Sequence, residues 1–129
     1  RASLANLRQF LAARQLHTDS AVRAAVIAVI ERAPRTLFIS GSCGLHLYNS
    51  LRLPKVIEAR VTVLAFGPVS LGVPRWSRLI AVQGRRDWLS RLFFRPVQHR
   101  ISCSHMNYLD RPEFTGIVRD TILDQLAPN

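Results

Sequence analysis

Apolar positions over the first thirty residues recur at helical spacing. Leu4, Leu7, Phe10 and Leu11 follow Ser3, a capping residue type, and predict a first helix. The polar run His17-Thr18-Asp19-Ser20 breaks it and caps a second. Ala21, Val22, Ala25, Val26, Val29 and Ile30 give that second helix a broad apolar face, closed near Ala33-Pro34. The pattern then changes period. Residues 35–40 place Leu37, Phe38 and Ile39 in succession, as in a short strand covered on both faces. A turn of small residues follows, and 44–53 carries Leu45, Tyr48 and Leu51 at helical spacing until Pro54 stops it.

Downstream the two periods alternate. Residues 60–66 predict a second strand, ended by Gly67-Pro68, and 67–77 reads as loop because it holds Pro68, Gly72 and Pro74. Residues 78–83 predict a third strand, followed by a polar turn at Arg85-Arg86-Asp87 and a short amphipathic helix marked by Trp88, Leu92 and Phe93. A fourth, weaker strand is expected over 97–103. The last helix, about 113–126, shows Phe114, Ile117, Val118, Ile122 and Leu126, with Gly116 as a local weakness. Strands alternating with helices imply an α/β domain: a three-layer parallel sheet of about four strands, helices on both faces, with right-handed crossovers. Such sheets gather chemistry at the carboxyl ends of their strands.

Composition narrows the setting. A chain of 129 residues, 48% of them hydrophobic, is one domain able to bury a core. No apolar run approaches the roughly 20 residues that cross a bilayer. The net charge of +10 comes from 17 arginines and one lysine, Lys55, against eight acids. Because the arginines are scattered from Arg1 to Arg119, the excess reads as a basic surface rather than a nucleic-acid interface. Cys43 and Cys103 have no disulfide-framework or metal spacing and read as reduced cysteines of a cytoplasmic protein. Neither a metal nor another cofactor is implied.

Chemistry concentrates in three turns. Ser42 follows the first strand, Asp87 the third and His105 the fourth, so a parallel sheet would bring all three to one edge. A serine hydroxyl becomes nucleophilic when an imidazole takes its proton, and a carboxylate fixes that imidazole's tautomer. Each residue also has a plainer use. Asp87 suits a helix N-cap before Trp88, and His105 suits an exposed loop. His17, His46 and His99 read as structural or exposed.

The stretch Ser40-Gly41-Ser42-Cys43-Gly44 resembles the nucleophile elbow of the α/β-hydrolase superfamily, with Ser40 where the first glycine usually stands. Residues 81–88 look like the strand and turn carrying that family's acid, and 103–108 like the loop carrying its histidine. Residues 65–68 are similar to the strand end after the elbow in lipase-like members. The resemblance spans roughly 20–126, the C-terminal half of the usual fold. It implies a Ser42-His105-Asp87 triad acting on a small carboxylic ester or acyl substrate, with the Cys43 N–H as first oxyanion donor. It also implies a single domain, 1–129, lacking the N-terminal strands and the second donor that they bring. Without those strands, 35–40 becomes an apolar sheet edge open to a partner chain or a second copy. Leu89, Phe93, Phe94, Met106 and Tyr108 are apolar groups expected near the site.

Overall fold

A computed structural model describes Leu4, Ala5, Arg8 and residues 20–128. The first expected helix and His17 therefore lie largely outside the described residues. The elements in order are α1 (Ser20–Glu31), β1 (Thr36–Gly41), α2 (Gly44–Ser50), α3 (Lys55–Glu58), β2 (Val61–Phe66), β3 (Arg78–Gly84), α4 (Trp88–Phe93), β4 (His99–Ile101) and α5 (Pro112–Leu126). A single turn of 3₁₀ helix, Tyr108–Asp110, precedes α5.

The four strands form one all-parallel sheet in the order β1-β2-β3-β4. Alternation along β2 explains its layers. Val61, Val63 and Ala65 face a core filled by Ile30 of α1, Leu45 and Tyr48 of α2 and Ile57 of α3. Leu64 faces the other way, with Ile80 and Val82, onto Phe114, Ile117 and Val118 of α5. Helices thus cover both faces, and β2 is buried from Val61 to Ala65, which is why its sequence is apolar but for Thr62, whose hydroxyl accepts from Gln125.

Differences from the sequence reading are local. The helix expected over 44–53 stops at Ser50 because Arg52 takes a left-handed backbone, φ 46°. That bend turns Leu51 and Leu53 into the core. α3 was not anticipated; one turn of four residues has no period to read. The fourth strand pairs only over His99–Ile101, two of whose three residues are exposed. α5 runs through Gly116 without a break. Among the described residues no helix is long and apolar enough to cross a membrane.

β1 pairs only with β2, and no described residue pairs along its other side. The amides of Thr36 and Ser42 donate to Arg60 and Phe66 of the β2 segment at 2.9 and 3.1 Å. By alternation, those of Leu37, Ile39 and Gly41 point to the open edge. Ser40 turns inward, and its hydroxyl is buried without a partner among the described residues. An unsatisfied buried hydroxyl costs about 1–3 kcal/mol. Ser40→Ala keeps the Cβ and removes that hydroxyl, so the variant is expected to gain about 1 kcal/mol in urea unfolding.

Candidate active site

Sheet register places the three candidate turns side by side. Gly41 is level with Phe66, Phe66 with Val82, and Gly84 with Ile101, so the carboxyl ends of all four strands form one rim. Ser42 is the first residue beyond β1 and has φ 52°, a left-handed conformation that costs a non-glycine residue on the order of 1–3 kcal/mol. The turn is held by its own backbone: Ser42 N–H donates to Phe66 O, and Val69 N–H donates to Ser42 O at 3.0 Å. Its small flanks have a packing reason. A Cβ on Gly44 would stand 2.8 Å from Ser40 Cβ, so α2 can leave the strand at this angle only with glycine there.

The rim must also bring together groups from distant strands. With neighbouring strands about 4.8 Å apart, β1 and β4 are separated by roughly 14 Å, and the loop after β4 has to fold back over the strand ends. It does so in a fixed shape. Ser104 gives both its N–H and its hydroxyl to Asn107 Oδ1, at 2.8 and 3.0 Å, while Cys103 O accepts from Arg86 N–H at 3.1 Å. The result carries His105 to Ser42: Nε2 lies 3.1 Å from Ser42 Oγ. On the other side of the ring, Nδ1 is 2.9 Å from both Asp87 oxygens. A carboxylate only accepts, so Nδ1 carries the proton and Nε2 is left to accept from the serine hydroxyl.

Asp87 is fully buried, 0% exposed. Three donors surround it. Ser90 N–H gives to Oδ1 at 2.9 Å, Tyr108 O–H gives to Oδ2 at 2.5 Å, and His105 lies between them. Burial alone would raise the carboxyl's pKa; hydrogen bonds from His105, Tyr108 and Ser90, with the charge of the ring, outweigh burial and hold it below its ordinary value. The capping reading of Asp87 is realised, since the Ser90 bond is the N-cap of α4, and the same carboxylate also accepts from His105. Behind it, Ser90 Oγ donates to Pro68 O at 2.7 Å and accepts from Gln83 Nε2 at 3.0 Å.

The thiol of Cys43 packs beside Val69 and Leu89. Its backbone is the N-cap of α2, where amide hydrogens have no acceptor within the helix. An amide there, one residue beyond Ser42, can receive negative charge developing at the serine. A cavity of about 210 Å³ opens at the same place, lined by Gly41, Ser42, Phe66, His105, Met106 and Leu109, with the Tyr108 ring as a wall. Met106 and Leu109 stand at its mouth, 63% and 71% exposed. Of the apolar groups expected near the site, Met106 and Tyr108 line this cavity, whereas Leu89 and Phe94 belong to the buried core and Phe93 packs against Leu89 and Val69. His46 lines a separate cleft beside α2, and His99 lies exposed on β4.

Two contributors were missed from sequence. Tyr108 was read as an apolar neighbour, although its hydroxyl is the shortest contact to Asp87. Gly67, read only as a strand stop, has φ 55°, and a Cβ there would lie 2.8 Å from both Asp87 Oδ2 and Tyr108 Cε2. The one available signal was their place at a strand end and three residues after His105. Among the described residues no cluster of metal-ligating side chains occurs. Compared with known proteins, the chain matches no family model and no curated protein significantly.

Because the folded-state pKa of Asp87 is depressed, its ionised form stabilises the protein above the unfolded value, about pH 3.9, and that contribution is lost as the pH falls through the folded value. Asp87→Ala leaves the Ser90 amide, the His105 ring and the Tyr108 hydroxyl without their buried acceptor and is expected to cost roughly 3 kcal/mol at pH 7. The gap to wild type should narrow below about pH 4 in chemical unfolding run across pH.

Proposed function

We infer that the protein is a serine hydrolase of carboxylic esters, of α/β-hydrolase type. The observation that carries this reading is the unbroken chain Ser42 Oγ, His105 Nε2, His105 Nδ1 and Asp87, with contacts of 3.1 and 2.9 Å, on a strained turn between a strand and a helix. Parallel-sheet topology and the order serine, aspartate, histidine along the chain support it further.

In this mechanism Ser42 Oγ attacks the ester carbonyl while its proton passes to His105 Nε2. The imidazolium so formed is held by Asp87, whose buried charge needs no reorganisation during the step. The Cys43 N–H faces the oxygen that becomes negative. His105 then returns the proton to the leaving alcohol as its C–O bond breaks, which leaves an acyl group on Ser42. Water attacks that acyl group by the same base and releases the acid. The apolar cavity beside Ser42 suits a short acyl group, with Met106 and Leu109 at its entrance.

A second oxyanion donor in α/β-hydrolases comes from a loop ahead of the elbow strand. No strand pairs on that side of β1 among the described residues, so the mechanism runs here with one assigned donor. Loss of one such donor costs about 2.7–4 kcal/mol in transition-state stabilisation, a factor of roughly 100–1000 in rate. Slow turnover of activated esters is the expected phenotype. A fluorophosphonate probe should label Ser42 stoichiometrically, and Ser42→Ala should abolish both labelling and hydrolysis of p-nitrophenyl butyrate. Absence of labelling on folded protein would sink the assignment.

The open edge of β1 favours a second reading, a hydrolase-like interaction module without turnover. Its uncharged sequence, with the amides of Leu37, Ile39 and Gly41 directed outward, is built to accept a further strand from a partner chain or a second copy. Sedimentation velocity at micromolar concentration separates the two. A module assembling through this edge sediments as a dimer or with its partner, and Ile39→Lys restores the monomer; a monomer that hydrolyses esters argues for the enzyme.

A further inference from the structure

We propose that Tyr108 is a positioning residue of this site: its hydroxyl clamps the Asp87 carboxylate to the end of β3, and through that carboxylate it sets the orientation of His105. The inference rests on the hydrolase reading for its consequence in turnover, and on geometry alone for the clamp.

Gly84 N–H donates to the Tyr108 oxygen at 2.7 Å, and the phenolic proton goes to Asp87 Oδ2, a far stronger acceptor than the neighbouring Cys103 sulfur. Burial first, and then the adjacent carboxylate, push the hydroxyl far above its ordinary pKa, and it remains a donor throughout the working range. With Ser90 N–H on Oδ1 and Tyr108 O–H on Oδ2, each oxygen is anchored from the outside. The imidazole nitrogen sits equidistant between them, at 2.9 Å from each. Removing one anchor lets the carboxylate rotate about its own axis and carries the ring with it.

Position in the chain adds a second reason. Tyr108 lies on the same returning segment as His105, while Gly84 and Asp87 belong to β3 and its turn. One hydroxyl therefore ties the histidine's segment to the aspartate's strand. The ring is packed independently, 5.6 Å from Phe66 and 6.3 Å from Phe114 between centroids, and forms a wall of the cavity. Tyr108→Phe keeps that wall and deletes the hydroxyl, and with it both the clamp on Asp87 and the acceptor of Gly84 N–H.

The variant is expected to lower kcat for p-nitrophenyl butyrate by roughly ten- to a hundred-fold, the range for loss of a hydrogen bond to a charged group, with KM within about two-fold. It also leaves more of the carboxylate's charge on the His105 side, which moves the acid limb of the kcat/KM profile to higher pH. The other titratable or charged groups facing this region, Cys103, Arg86 and Arg111, are unchanged by it. Unaltered kcat and pH profile in an active, folded variant would overturn the proposal. A readout free of turnover is the low-field proton resonance of His105 Nδ1, expected to be sharp in wild type and broadened in Tyr108→Phe. If wild type neither labels nor hydrolyses, the hydrolase reading falls while this resonance still decides the clamp: a sharp signal in both proteins overturns it. Should Tyr108→Phe not fold, 3-fluorotyrosine incorporated at position 108 strengthens the donor instead. The acid limb, or in an inactive protein the resonance position, must then move opposite to the direction of a weakened clamp, and no movement overturns the proposal.

Discussion

A carboxylate placed out of reach of water has to be matched by donors, and in this protein that requirement organises everything beyond the carboxyl ends of the strands. Asp87 meets it with three groups from two places: the first turn of α4 gives the Ser90 amide, and the segment after β4 gives both the Tyr108 hydroxyl and the His105 ring. Each donor does a second job. The Ser90 amide starts a helix, the Tyr108 hydroxyl closes a loop over β3, and the His105 ring reaches Ser42. An unpaired charge at the same depth would cost several kcal/mol, so the elements that satisfy it are held to one geometry. Pre-organisation of the base follows from folding itself.

This double use explains what the sequence could and could not disclose. Strands 35–40, 60–66 and 78–83 were legible because each is dense in apolar residues, in β2 because both its faces are buried, although Ile39 of β1 proves exposed; the small residues around Ser42 were legible because α2 leaves β1 too closely for a Cβ at Gly44. Given a parallel sheet, the order of Ser42, Asp87 and His105 along the chain already put them on one rim. Tyr108 was not legible in its polar role, since a tyrosine in a short loop buries its ring whether or not its hydroxyl has work to do. Arg52 bends the chain in a conformation that side-chain type does not announce, so the end of α2 was misplaced. The brevity of β4 has a similar origin: three residues are enough when the chain must turn back across the rim.

Under the proposed hydrolase reading, the cluster divides into two halves. The base half needs β1, the end of β3 and the loop after β4, all within residues 36–108, and is internally complete: every polar contact from Ser42 to Asp87 and outward to Gly84, Ser90, Gln83 and Pro68 is made within that stretch. On that reading the oxyanion half needs amides converging above Ser42, and the Cys43 amide at the start of α2 is the one proposed for it. Its natural complement lies on the open side of β1, where the amide of Gly41 points outward one residue before the serine.

A strand added along that edge would run within about 5 Å of the Ser42 turn and could bring a backbone amide to the same oxygen. Edge and site are then not independent features. Pairing along β1 would cover an edge that the described residues leave unpaired and, under the proposed hydrolase reading, raise catalytic power in the same event, because both depend on the strand whose end is Ser42. A monomer would keep a well-oriented nucleophile and base with weak stabilisation of the developing oxyanion. An assembly would hold the same base, unchanged since the Asp87 cluster lies on the far side of β2, with the second half supplied from outside. On this view the ester hydrolase and the interaction module describe two states of one site, distinguished by what occupies the edge of β1.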